Sequence, residues 1–156
     1  MPSTNTKNYD INYTIKSVER LKFDFTALEL LNIENLDLEK IDVKFQQSFS
    51  LKEDIKIISI DLGTLFTYEE EVKLVEFRIR INYFINEFNL VTNKRDTNKL
   101  QILNQIMIHL VGLTLSTSRG MLASYLIDTD YKNIFIPILQ EQDIRAFFLP
   151  DFPKLK

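Results

Sequence analysis

The feature that most constrains the fold is a change in the spacing of the apolar residues near residue 99. Before this point apolar and polar residues alternate, as in Ile41–Leu51 and Val72–Phe84. A period of two is typical of strands with one buried face. From Lys99 to Leu115 the apolar residues recur every three or four positions, which is typical of a helix. The sequence therefore predicts a group of strands followed by one long helix.

Four strands are predicted ahead of this helix. They cover Ile11–Ile15 continuing into Leu21–Phe25, then Ile41–Leu51, Ile55–Thr67, and Val72 to Phe84 or beyond. Short polar connections between successive strands predict an antiparallel meander with one buried face. In the first strand Val18 breaks the odd-numbered apolar series, so we expect a bulge between Ser17 and Arg20. Residues 26–40 fit either a helical turn or a loop that covers a sheet edge.

The long helix has predicted ends and a predicted partner. Thr97 or Asn98 is suited to cap its N-terminus. Ser118-Arg119-Gly120 predicts its end, with Gly120 at positive φ and Arg119 bonded to the last carbonyls. An extended crossover then runs to Ile134–Leu139.

The helix is apolar on more than one side, and Gly112 in its middle suits a close helix–helix approach. One sheet face does not cover such a helix, so we expect a second subunit on its other side. The predicted oligomer interface is Leu103, Met107, His109 and Gly112.

Composition bounds the class of protein. The 156 residues predict a flexible tail at 1–10, a single domain at 11–149 and a C-terminal tail at 150–156. A net charge of −3, with 22 acidic and 19 basic residues, disfavours non-specific nucleic-acid binding. The absence of cysteine excludes disulfides and thiolate nucleophiles and suits a reducing cytoplasm. No uncharged apolar run reaches eighteen residues and Met1–Asn8 lacks an apolar core, so we expect neither membrane insertion nor a signal peptide.

Residues that carry chemistry form no recognisable set. His109 is the only histidine and lies on the apolar helix, and three glycines form no phosphate-binding loop. Ser116–Ser118 has no partnered base, and the acidic residues of Glu69–Glu71 are of the kind that turns expose to solvent. We therefore expect a binding protein, not an enzyme, with no metal or other cofactor. Twelve Phe and six Tyr fit a large core, or a core with an aromatic-lined groove.

The order of these elements resembles the SecB family of export chaperones, over roughly Ile11 to Ile144. The resemblance rests on Tyr13–Phe25 with its irregular middle, on Ile41–Phe45, on Ser118–Gly120 and on Ile136–Ile138. It implies an α+β fold: a four-stranded antiparallel sheet with a long helix and a second, short C-terminal helix packed on one face. It also implies a cytoplasmic homotetramer, built from dimers, that binds unfolded or partly folded polypeptide clients without nucleotide or metal.

The resemblance places a peptide groove between the crossover and the sheet. The implied peptide-binding residues are Tyr125, Leu126, Ile134, Phe135, Ile136 and Ile138. In export members a SecA-type motor docks on acidic positions of the outer sheet surface, whereas this chain has Lys22, Arg78 and Arg80 there. Other members serve a dedicated client such as an antitoxin. The alternatives are an adaptor or structural protein with a fixed folded partner, and a binder of small apolar ligands.

Overall fold

A computed structural model describes residues 11–89 and 97–148, without the side chains of 97–103. Four strands, two short 3-10 helices and two α-helices follow one another along the chain. They are β1 (Tyr13–Phe25), the 3-10 helices Leu28–Leu31 and Leu38–Lys40, β2 (Ile41–Lys52), β3 (Ile57–Tyr68), β4 (Val72–Ile85), α1 (Thr97–Leu126) and α2 (Glu141–Phe148). The predicted fold class is confirmed: one antiparallel sheet carries a long helix and a short C-terminal helix. The tails predicted at 1–10 and 150–156, and the capping side chains of Thr97 and Asn98, lie outside what is described.

The four strands are ordered β1-β4-β3-β2, and every neighbouring pair is antiparallel. The β2–β3 and β3–β4 pairs are hairpins, as predicted. The prediction of a simple meander is wrong for β1, which pairs with β4 at the far side of the sheet and not with β2. The chain therefore crosses the end of the sheet between β1 and β2, in a Greek-key connection.

Residues 26–40 make this crossing as two 3-10 turns. The amide of Thr26 donates to the carbonyl of Leu74 at 3.0 Å, which fixes the start of the crossing to β4. Leu28, Leu31 and Leu36 pack against the core, whereas Leu30 and Leu38 remain exposed. Of the two predicted forms, the helical turn is the one observed.

β1 is irregular as predicted, but its two register shifts flank the stretch from Ser17 to Arg20 and do not lie within it. Pairing with β4 shifts register between Ile15 and Ser17, and again between Arg20 and Lys22. After the first shift Val18 lies opposite Ile81, and before it Ile15 lies opposite Tyr83. Both apolar side chains of β1 therefore face the same side of the sheet as the buried residues of β4.

The core lies between the sheet and α1. On β4 the apolar residues are buried and the polar ones are partly exposed, in the predicted alternation from Val75 to Tyr83. Ile58, Ile60 and Leu62 of β3 add a second buried row. The helix contributes Leu110, Val111 and Leu115 from its side facing the sheet.

The predicted end of α1 is wrong. The helix passes through Ser118-Arg119-Gly120 without interruption and ends at Leu126, and Gly120 does not have a positive φ. Gly120 is exposed, so its effect on the helix is only the loss of about 1 kcal/mol relative to Ala. Leu122 and Leu126 in the next two turns are fully buried, and this burial outweighs that cost. Tyr125 and Leu126 consequently belong to α1 and not to the crossover.

The second side of α1 is covered in part by the chain itself. A Cβ atom placed on Gly112 would lie 3.8 Å from Cδ1 of Ile144, so α2 crosses α1 at this glycine. This distance is ordinary van der Waals contact, so a side chain would fit here and the close helix–helix approach predicted from Gly112 is not present between α1 and α2.

Asn104–Leu126 is long and apolar enough to cross a membrane by length and composition alone. Core helices of soluble proteins meet the same criterion. In this structure the segment packs on β3 and β4.

Candidate binding surface

An apolar strip lies along β1 on the helix-facing side of the sheet. It consists of Ile15, Val18, Phe23 and Phe25, and we call it the β1 strip. Ile15 is 46% exposed, Val18 41% and Phe25 40%. Their β4 partners on the same face, such as Ile81 and Tyr83, are fully buried. The helix therefore covers β4 and leaves the neighbouring edge strand partly open.

Tyr125 of α1 borders this strip. Its ring stacks on Phe23 with centroids 5.1 Å apart and meets Phe77 edge-on at 5.8 Å. The guanidinium of Arg20 lies 5.1 Å from the Tyr125 ring centroid, within the range of a cation–π contact. These contacts fix the ring while leaving it half-buried. Tyr125 is thus a predicted peptide-binding residue that adjoins the β1 strip.

Aromatic contacts also fix the two ends of the strip. At one end Tyr13 Oη lies 2.8 Å from His109 Nε2, where the donor depends on the imidazole tautomer. At the other end Phe25 meets Tyr131 edge-on at 6.1 Å, and the Tyr131 hydroxyl donates to the carbonyl of Thr26. The strip is therefore a pre-formed surface between two anchored ends.

The remaining predicted peptide-binding residues fall into two groups. Leu126, Ile134 and Ile136 are at most 4% exposed and belong to the core. Phe135 is 57% exposed and Ile138 is 77% exposed. Of the predicted peptide-binding residues in the crossover, these last two present a surface to solvent.

Arg119 holds the crossover against α1. Its Nε donates to the carbonyl of Ile136 at 2.8 Å and its Nη2 to the carbonyl of Pro137 at 2.7 Å. The sequence predicted that Arg119 would bond to the last carbonyls of its own helix, and that is wrong because the helix continues. Because this attachment turns Ile136 into the core, Phe135 and Ile138 on either side of it are exposed.

The predicted interface residues are dispersed. Met107 is 2% exposed and lies in the core, and His109 is exposed and bonded to Tyr13. Gly112 lines an open cleft of about 320 Å³ on the outer side of α1, bounded by Ile138 and Ile144. The Leu103 side chain is outside the described residues.

Few groups in the described residues have unusual acid–base properties. Burial raises the pKa of the Tyr83 hydroxyl to about 12, against a smaller opposing effect of its hydrogen bond with Thr114 at 2.9 Å. Burial also raises the pKa of Tyr131. Across residues 11–89 and 97–148, no group of three or more His, Asp or Glu side chains is placed to hold a metal ion.

The β1 strip was not singled out from the sequence. Its residues carry the correct alternation, but alternation looks the same in an edge strand and in a central strand. The irregular parity around Val18 was the one available signal, because bulges are common at sheet edges.

Comparison with known proteins gives solved structures and no family. No protein-family model matches the sequence, and no curated protein matches it. The chain is similar to the Mycobacterium tuberculosis SecB-like chaperone Rv1957, solved with a ChAD peptide from the Rv1956 HigA1 antitoxin. The identity is 9% and the TM-score 0.45, over 82% of this chain and 88% of that chain.

A protein of unknown function from Streptococcus agalactiae is also similar. Its identity is 13% and its TM-score 0.29, over 83% of this chain and 99% of that chain. At these identities the likeness concerns the fold alone.

Proposed function

We propose that the protein is a SecB-like molecular chaperone that binds non-native polypeptides along the β1 strip. The observation that carries this proposal is the partial exposure of Ile15, Val18 and Phe25 on an edge strand beside Tyr125. The resemblance of the sequence to the SecB family supports the same class of function. The client is either a range of exported proteins or one dedicated partner such as an antitoxin.

The edge position of β1 suits an extended client. β1 pairs with β4 on one side, and its other side has no neighbouring strand among the described residues. An extended chain added there gains main-chain hydrogen bonds, which do not depend on its sequence. Alternate side chains of that chain would then lie on the same face as Val18 and Tyr125. Apolar contact of this kind recognises exposed hydrophobic segments of unfolded proteins without a fixed motif.

Phe135 and Ile138 offer a second apolar contact for a client, separate from the β1 strip, and Ile138 also lies on the rim of the cleft beside Gly112. They are exposed on the crossover, which Arg119 fixes to α1 through Ile136 and Pro137. Leu126, Ile134 and Ile136, which the resemblance also implies, act in this proposal by holding the crossover and Tyr125 in place.

The proposal is tested by suppression of aggregation of a chemically unfolded client protein. Val18→Ser removes apolar surface from the centre of the β1 strip and should weaken suppression severalfold. Leu30→Ser is the matched control, because Leu30 is 78% exposed but lies in the 3-10 turn after β1. Both variants should keep the melting temperature within a few degrees of the parent, as expected for exposed positions. Equal suppression by the two variants contradicts the proposal.

Two alternatives predict other results. An adaptor with a fixed folded partner should bind that partner and leave unfolded clients to aggregate. A binder of small apolar ligands should use the cleft of about 320 Å³ beside Gly112, and such a ligand should raise the melting temperature. That cleft is open, with Ile138 on its rim 77% exposed, whereas small-molecule sites bury most of their ligand.

Assembly and motor docking belong to the same proposal. The outer side of α1, with His109 and the cleft beside Gly112, is the surface proposed for a homo-oligomer in the cytoplasm. A SecA-type motor would meet the outer sheet face. Its ion pairs, such as Arg80 with Asp61, leave that face without a surplus of acidic groups, so we propose chaperone activity independent of such a motor.

A further inference from the structure

The sheet face opposite the helices is charged, and most of its charges neutralise one another. The ion pairs join Arg80 to Asp61, Lys73 to both Asp24 and Glu76, and Lys22 to Glu76, at 2.7–2.8 Å. Two lysines and two carboxylates thus form one electrically neutral network of ion pairs. Arg80 forms a separate bidentate pair with Asp61. Cations on the same face that lack an ion-pair partner are therefore candidates for binding an anion.

Arg78 is the first such cation. Its Nη2 donates to Oε1 of Gln46 at 2.9 Å, and no carboxylate lies within ion-pair distance of it among the described residues. Gln46 is uncharged, so the guanidinium keeps its full positive charge. Most of its five N–H donors also remain available for a ligand.

Gly63 explains how Arg78 is held. Arg78, Gly63 and Gln46 lie side by side on β4, β3 and β2. A Cβ atom at Gly63 would lie 3.2 Å from Nε of Arg78, closer than ordinary contact. The missing side chain therefore allows the arginine to lie flat across β3 and reach β2. A guanidinium fixed in this way has lost its side-chain freedom before any ligand binds.

Lys44 is the second such cation. It precedes Gln46 by two residues on β2, so it lies on the same face of the sheet. It has no ion-pair partner among the described residues. Lys44, Arg78, Lys73 and Glu76 all line one hollow of about 120 Å³, together with Gln46 and Gly63. Three cations and one carboxylate leave its lining with a surplus of two positive charges.

We propose that this hollow binds a carboxylate side chain of an acidic polypeptide segment. A guanidinium and an ammonium on either side of a small depression match one carboxylate in charge and in hydrogen-bonding capacity. The site lies on the opposite face of the sheet from the β1 strip, so its use does not depend on the proposed client binding.

The surroundings favour a peptide over a polyanion. Glu76 lines the hollow, so one carboxylate matches its surplus charge, whereas the many phosphates of a nucleic acid would be repelled by Glu76 and by the net charge of −3 of the whole chain. β2 is an edge strand, so an extended acidic segment can lie along the outer face without meeting another strand of the described sheet.

The test is the binding of a fluorescein-labelled peptide with one glutamate among neutral residues to the full chain at low salt, followed by anisotropy. The parent should bind, and Arg78→Gln and Lys44→Gln should each weaken binding about tenfold, as expected when one charge-assisted contact is lost. Lys132→Gln is the matched control, because Lys132 is an exposed lysine between α1 and α2, away from the outer face. Lys44→Gln keeps the test decisive if Arg78→Gln impairs folding, since Lys44 is exposed.

Other outcomes overturn the proposal. Binding that Lys132→Gln weakens as much as Lys44→Gln shows general charge attraction and no site. Equal binding of the same peptide with glutamine in place of the glutamate shows that the carboxylate is not recognised. Displacement of the peptide by an equal concentration of inorganic phosphate assigns the hollow to phosphate instead.

Discussion

Arg119 in the C-terminal third of α1 donates to the carbonyl oxygen of Ile136 at 2.8 Å, and so joins the long helix to the crossover that follows it. A second bond from the same guanidinium reaches Pro137. Two main-chain carbonyls of an extended segment thereby accept hydrogen bonds from a side chain, as they would otherwise do from a neighbouring strand. The arrangement turns Ile136 into the core and leaves Phe135 and Ile138 exposed.

Arg119→Ala should lower the free energy of unfolding by about 1–2 kcal/mol, because two charge-assisted hydrogen bonds are lost and two carbonyls are left without partners. Arg145→Ala is the control. Arg145 makes an exposed pair with Glu141 on α2 at 2.9 Å, a kind of pair that contributes little. Urea denaturation of both variants measures the difference. Equal midpoints would show that Arg119 does not hold the crossover.

Gly120→Ala should raise the free energy of unfolding by about 0.5–1 kcal/mol. The residue is helical and exposed, and a Cβ atom there would meet nothing within 4 Å. Thermal denaturation gives the sign directly. A lower melting temperature would mean that Gly120 ends the helix in a left-handed conformation, as the sequence alone predicted.

Tyr83→Phe should reduce the loss of stability at high pH. The unfolded chain releases the Tyr83 proton near pH 10, whereas burial raises the pKa of the folded group to about 12. Between these values the folded state holds a proton that the unfolded state has lost, so stability is complete below pH 10 and falls as the pH rises through 12. Tyr131 contributes in the same direction, so the variant should retain a smaller decline.

The check is urea denaturation at several pH values from neutral to strongly alkaline. At neutral pH the variant should lose about 1 kcal/mol with the Thr114 hydrogen bond. An unchanged alkaline slope would show that the Tyr83 hydroxyl is exposed to water.

The oligomeric state is predicted to be a dimer or a tetramer in solution. The outer side of α1 keeps an open cleft beside Gly112, and β1 and β2 are both edge strands. Light scattering at micromolar concentration measures the mass. A mass of 18.4 kDa that persists at high concentration would contradict the prediction.

Local patterns predicted the elements better than their arrangement. The alternation from Val75 to Tyr83 and the irregularity at Val18 are properties of neighbouring residues, and both were recovered. The pairing of β1 with β4 was not, because no local signal distinguishes an edge strand beside β2 from one beside β4. The end of α1 was misplaced because Gly120 and its neighbours favour a stop locally, whereas burial of Leu122 and Leu126 depends on the sheet.

The same division applies to the candidate surface. Tyr125 was predicted as a contact residue, but its stacking on Phe23 joins residues about a hundred positions apart and depends on the helix continuing past Gly120. Leu126, Ile134 and Ile136 look like Phe135 and Ile138 in the sequence. Leu126 is buried because α1 continues to it, and the position of the crossover against α1 separates buried Ile134 and Ile136 from exposed Phe135 and Ile138.

The central claim is that an unfolded chain binds along the β1 strip, and amide hydrogen exchange tests it most directly. The exchange of the full chain is compared with and without a permanently unfolded, reduced and alkylated client. Protection should increase in β1 between Ile15 and Phe25, where a bound chain would pair, and should stay unchanged in β2. Binding of the client with no added protection in β1, or with protection confined to β2, would contradict the account.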